Sequence, residues 1–229
     1  MSDKVIDLHA TDRFALAGDF VPQESGITTS RTYGEILEAD GNVLVWSNIL
    51  GQTTAANCTY KYNNSTGLYS ALPKLGALGN AYIITSITIN SIWNDWPTIT
   101  IEGHNHQYEP HINDRNQWDL STFLTLATGE FGVYDWAGLA AGEIGAINSS
   151  ITASINHSDI DSYTGNHWNG QNITGKLSAT INYIGEISNP IVADWLVIDY
   201  NNDDDNESHD KTSVTIVRPL NGTISDYPA

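Results

Sequence analysis

The run Gly103-His-Asn-His-Gln-Tyr-Glu-Pro-His111 gathers three imidazoles in nine residues. Neutral imidazole is a strong ligand for borderline metal ions, and residues two apart on a strand point the same way. His104 and His106 are therefore spaced to chelate a transition metal if the strand from Pro97 continues through them. The same alternation puts them beside Glu102, Thr100 and Thr98, on a polar face, where a surface or interface histidine pair is the simpler reading. A second cluster, Asn201-Asn-Asp-Asp-Asp-Asn-Glu-Ser-His-Asp210, packs five acidic groups into ten residues. Hard cations such as Ca²⁺ want several carboxylate and amide oxygens. The run lacks the order of an EF-hand loop, and a solvated turn between Tyr200 and Thr212 is the simpler reading. Flat aromatic faces stack on sugars. Trp93 and Trp96 in one turn-like segment, with Trp168 in His167-Trp-Asn-Gly170, form a candidate glycan platform, the alternative being core or interface anchors.

The His-x-His pair resembles that of cupins, and the resemblance would make Glu109 a third metal ligand. The spacing from His106 to Glu109 is shorter than the cupin pattern, and no second half with its late histidine follows. No Gly-x-Ser-x-Gly, phosphate-cradling glycine loop or Cys-x-x-Cys occurs, so neither an enzyme nor a cofactor is expected. With 27 Asp plus Glu, paired carboxylates carry no information. Those acids stand against 9 Lys plus Arg, a formal charge of -18, which opposes nucleic-acid binding because phosphate neutralisation needs a basic footprint. Cys58 is the lone cysteine, so no intrachain disulfide can form, and a small buried hydrophobe is its expected role.

Short segments of alternating apolar and hydroxyl residues must position these groups. Ile87, Ile89, Ile99 and Ile101 alternate with Thr88, Asn90, Thr98 and Thr100 around a turn at Trp93-Asn-Asp-Trp-Pro97, which predicts a hairpin with one buried and one hydroxyl-rich face. Ile151 to Ile155, Leu177 to Tyr183 and Val214 to Ile216 repeat the pattern. Asp40-Gly41 predicts a hairpin turn between Ile36-Leu37 and Val43 to Trp46, and Thr53 to Tyr62 reads as the next strand. The nearly continuous apolar run from Ile191 to Tyr200 predicts a strand covered on both faces in the middle of the core. Between Tyr134 and Ile147 the apolar spacing allows one short helix, weakened by Gly138, Gly142 and Gly145, or a glycine-rich loop. The expected fold is all-β, an antiparallel β-sandwich or barrel with long loops and at most one short helix. Residues 1–28 form an arm or peripheral strand, and 29–229 a single domain with a possible subdivision near 137–148. No basic n-region leads an apolar h-region, and no stretch reaches about 18 apolar residues, so neither a secretory signal nor a membrane span is expected.

Trp96-Pro-Thr-Ile-Thr-Ile-Glu-Gly103 together with Gly175-Lys-Leu-Ser-Ala-Thr-Ile-Asn-Tyr-Ile-Gly185 resembles the strand texture of tailed-bacteriophage virion proteins, in particular tail tube subunits. The resemblance covers about a third of the chain. It implies a subunit made in the host cytoplasm that joins the virion, partnering copies of itself and other virion proteins in stacked rings around a channel for DNA. A capsid decoration or baseplate protein would fit the same features. An acidic wall does not hold passing phosphate, and Asp194, Asp199, Asp203, Asp204, Asp205, Glu207 and Asp210 are the candidates for it. Asn63 to Asn80 is the candidate for the long hairpin that tube subunits extend to the next ring.

Overall fold

The computed structural model describes residues 11–16, 18–37, 43–62, 68–106, 116–124, 132–161, 167–203 and 210–221. The fold is all-β and antiparallel. Its strands are β1 (Phe20–Leu37), β2 (Val43–Tyr62), β3 (Leu78–Gly79), β4 (Tyr82–Ile92), β5 (Thr98–His106), β6 (Gly145–Asp161), β7 (His167–Ile184), β8 (Leu196–Asp203) and β9 (Lys211–Pro219). All join one sheet in the order β1-β2-β5-β4-β6-β7-β9-β8, with β3 on β4. One helical turn, α1 (Leu68–Ala71), and a 3₁₀ turn at Leu120–Thr122 lie in the connections.

The two faces differ as the alternation requires. Along one cross-strand row Tyr60, Ile99, Ile89, Ile151, Ala179 and Ile216 stand opposite one another, all buried. The next row reads Thr59, Thr100, Thr88, Thr152 and Ser178. Its hydroxyls bond across strands, Thr59 to Thr100 and Thr88 to Thr152, each at 3.0 Å. Such pairs knit the open face where no apolar packing does so. Connecting segments cover the apolar face: Phe14, Leu68 and Leu75, Trp118 and Leu120, Val133 and Trp136, Ile187 and Val192 all join the core. Cys58 is buried there, and its thiol lies 3.7 Å from the Thr11 carbonyl.

One expectation needs correction, and one left open is decided. The Ile191–Tyr200 run is not a strand covered on both faces. Among the described residues β8 is an edge strand paired only with β9, and Ile191, Ile198 and Tyr200 are exposed. Val192 and Trp195 spend their apolar character packing a loop onto the core, so the run is split between two jobs. The Tyr134–Ile147 segment forms no helix, the glycine-rich loop being the outcome. There Asp135, only 4% exposed, accepts hydrogen bonds from the backbone N–H of Gly138 (3.0 Å) and Ala140 (2.8 Å) and from the Tyr183 hydroxyl (2.6 Å). The side chain offers the backbone a local alternative to helical bonds. The boundary between residues 28 and 29 lies within β1, and the Asp40-Gly41 turn lies outside the described residues, although Leu37 and Val43 on either side of it pair.

Gly103 shows how tightly the centre is built. A Cβ there would stand 2.6 Å from the Ile83 carbonyl oxygen and 2.9 Å from the Phe14 ring. The carbonyl belongs to the ladder and cannot retreat. Gly103→Ala is expected to cost roughly 2–4 kcal/mol, lowering the melting temperature by about 5–15 °C. Gly175→Ala, which meets only the Leu220 side chain, should cost less than half as much in the same thermal melt.

Candidate functional site

Four strands are much longer than the body they share. β2 pairs with β5 over Thr53 to Lys61, so among the described residues Val43 to Gln52 pairs with β1 alone. Likewise β6 pairs with β4 only up to Ser154, and β7 with β9 only from Lys176. Beyond those points β6 and β7 continue as a pair to Asp161 and His167. Two two-stranded hairpins, each about 20–30 Å long at ~3.3 Å per residue, therefore extend past the body. Both leave from the same end, because Thr53 of β2, His106 of β5, Ile83 of β4 and Ser154 of β6 mark one margin of the sheet. These hairpins are not on the Asn63 to Asn80 segment where one was expected: Leu68, Tyr69, Leu72 and Leu75 pack on the core, and 63–67 lie outside the described residues.

At the root of the hairpins lies the first of the predicted histidines. His106 lies in β5, paired with Thr53, while Glu109 and His111 fall outside the described residues. His104 meets His157, with ring centroids 4.5 Å apart and planes tilted by 55°. Simple alternation would send His157 to the core face with Ile151 and Ala153. The ladder is irregular here: between Asn156 and His157 the register shifts by an extra residue on β7, and a second shift, between Ile84 and Ser86, puts Ile83 opposite His104. Ile83 is fully buried yet stands outside the main core cluster. No local signal marks either bulge, and His157 is 53 residues from His104 in the chain (157 minus 104). Beside His104 lies a hollow of about 380 Å³, lined among others by Thr28, Asn57, Thr85 and Glu102. Among the described residues no group of three or more His, Cys, Asp or Glu is placed to hold a metal.

At the opposite end of the sheet, Trp93 and Trp96 stand in the β4–β5 turn, 57% and 53% exposed, next to an exposed Ile92. The turn is built by Asn94 in the left-handed region (φ 67°) and by Asp95, which accepts from the Trp96 N–H at 2.8 Å and pairs with Lys61 at 3.1 Å. Those hydrogen bonds, the lysine's first, hold the Asp95 carboxyl below its usual range. Trp168 does not join the pair. It lies in β7 near the tip of the second hairpin, roughly 40 Å away along β6 at ~3.3 Å per residue.

The acidic candidates collect at the β8 edge. Asp194, Asp199, Asp203 and Asp210 are all exposed, while Asp204, Asp205 and Glu207 lie outside the described residues. Asp199 and Asp203 stand opposite Thr215 and Lys211 on the hydroxyl side of the sheet. Among the described residues no helix is long and apolar enough to cross a membrane. No protein-family model and no curated protein sequence matches the chain.

Proposed function

We propose that this chain is a structural subunit of a tailed-phage particle, a self-assembling tail tube protein whose copies stack in rings around an acidic channel for DNA. The observation that carries the reading is the pair of hairpins leaving one end of the sheet. An isolated two-stranded ribbon is marginal in water, and the first of these has the sequence Ile36-Leu37 and Val43-Leu-Val-Trp46. A ribbon of that composition, unbacked by a third strand, is stabilised when another surface covers it. Among the described residues the sheet path also ends in two open edges, β1 and β8, which a second copy can extend. The exposed carboxylates at β8 supply a wall that repels phosphate. Negative-stain electron microscopy and light scattering of the purified chain test the reading. Rings or tubes are expected, favoured by added salt because a charge of -18 on each copy is then screened. A monomer at high concentration and moderate salt would overturn it.

A glycan-binding module is the second reading, favoured by two tryptophans more than half exposed on one turn. Stacking on such faces is lost on truncation, so Trp96→Ala would abolish retention on a glycan array while leaving the melting temperature within about 2 °C, the side chain being largely solvated. An array with no retained glycan removes this reading.

A further inference from the structure

We propose that His104 and His157 form an open two-imidazole site for a borderline divalent transition-metal ion such as Zn²⁺ or Cu²⁺. The geometry is the starting point. β5 and β6 are separated by β4, so the two backbones stand about 9–10 Å apart at ~4.8 Å per strand spacing. The rings nevertheless approach to 4.5 Å between centroids, which requires both side chains to lean inward over β4. An ion 2.0–2.1 Å from an imidazole nitrogen lies roughly 3.2 Å from that ring's centre, so two imidazoles bound at 90–109° have centres about 4.5–5.2 Å apart. The observed separation falls in that interval. A 55° tilt opens the pair into a wedge, unlike the near-parallel planes of a ring stack.

The surroundings suit an exchangeable ion. His104 also lines the hollow of about 380 Å³, together with Glu102. Since no third His, Cys, Asp or Glu joins the pair among the described residues, the remaining coordination positions fall to water. Such a site selects for nitrogen-preferring ions over Mg²⁺ or Ca²⁺, which want oxygen. It also ties β5 to β6 at the point where both hairpins leave the body. The site stands independently of assembly, since both histidines belong to one chain.

Calorimetric titration of the full chain with Zn²⁺, and Cu²⁺ binding followed by electron paramagnetic resonance, test the site. One ion per chain is expected, with nitrogen hyperfine coupling from two imidazoles. His104→Ala and His157→Ala should each weaken binding by about tenfold or more, and His209→Ala should leave it unchanged. Should either alanine variant fail to fold, His104→Gln and His157→Gln keep the polarity and size and should show the same loss. Absence of binding, a spectrum lacking two imidazole nitrogens, or affinity that survives replacement of either histidine would overturn the proposal.

Discussion

Asp135→Ala should lower the melting temperature by roughly 10–15 °C, a loss of about 3–5 kcal/mol. The carboxylate is 4% exposed and accepts three hydrogen bonds at once. Truncation leaves the buried Tyr183 hydroxyl without its acceptor at full desolvation cost and takes the acceptor from the half-buried Ala140 N–H, while the exposed Gly138 N–H keeps the Asp135 backbone carbonyl at 3.3 Å. Asp135→Asn discriminates the mechanism. Its oxygen can still accept from Tyr183 and Gly138, but its amide nitrogen faces the Ala140 N–H donor to donor, so an intermediate cost near 2 kcal/mol is expected. Tyr183→Phe removes one donor and should cost about 1–2 kcal/mol. If thermal melts put all three variants within 1 kcal/mol of the parent, the residue does not organise the 132–144 loop.

The phenols of this core give the same region a pH signature. Burial, the largest cause, raises Tyr183 and Tyr60 above the ordinary tyrosine range, and the hydrogen bonds to Asp135 and Asp12 raise them further. Burial also pushes Tyr134 up to about 12. A raised folded value means that the folded state holds its protons more tightly than the unfolded one. The contribution is fully present below the unfolded value near pH 10 and is lost as pH rises above it. Urea midpoints should therefore fall between pH 10 and 12, and fall less in Tyr183→Phe.

The sheet's centre was legible because its alternation is local. Ile87, Ile89, Ile99 and Ile101 announce which face is buried, and Asn94-Asp95 with Pro97 announces the turn between them. What escaped depends on position within the sheet. An apolar run reads the same whether a strand is central or, like β8, at an edge with Ile198 and Tyr200 exposed, since periodicity reports side-chain chemistry and not the number of neighbours. The histidine site was half legible. His104 sits on the predicted polar face, but its partner lies 53 residues on, where the ladder carries irregularities in β4 and β7 near one margin, and a bulge is set by pairing between distant segments. Asp135 was hidden in a segment with helix-like spacing because a single carboxylate decided its conformation.

Replacing Gly34 to Ser47 by an Asn-Gly turn should leave a folded body that no longer assembles. The excised segment belongs to the part of β1 and β2 that pairs with no third strand, so the rows from Thr53 onward keep their neighbours. A melting temperature within about 3 °C of the parent is expected, since an unbacked ribbon adds little to the stability of the rest. Its contribution to association is another matter. Ile36, Leu37, Val43, Leu44, Val45 and Trp46 are removed together, and burial of a large apolar side chain is worth about 1.5–3 kcal/mol. Six of them covered by a second copy would supply on the order of 10 kcal/mol against the cost of association and the mutual repulsion of strongly acidic chains. The second hairpin is polar at the corresponding positions, with Asp159, Asp161, Asn169 and Asn172, so shortening it between Asp159 and Gly170 should shift the critical concentration for assembly without abolishing it. Sedimentation velocity at matched salt separates the outcomes. Assembly that survives removal of the apolar ribbon would show that copies meet through the open β1 and β8 edges instead, and would move the proposed contact from the end of the sheet to its sides.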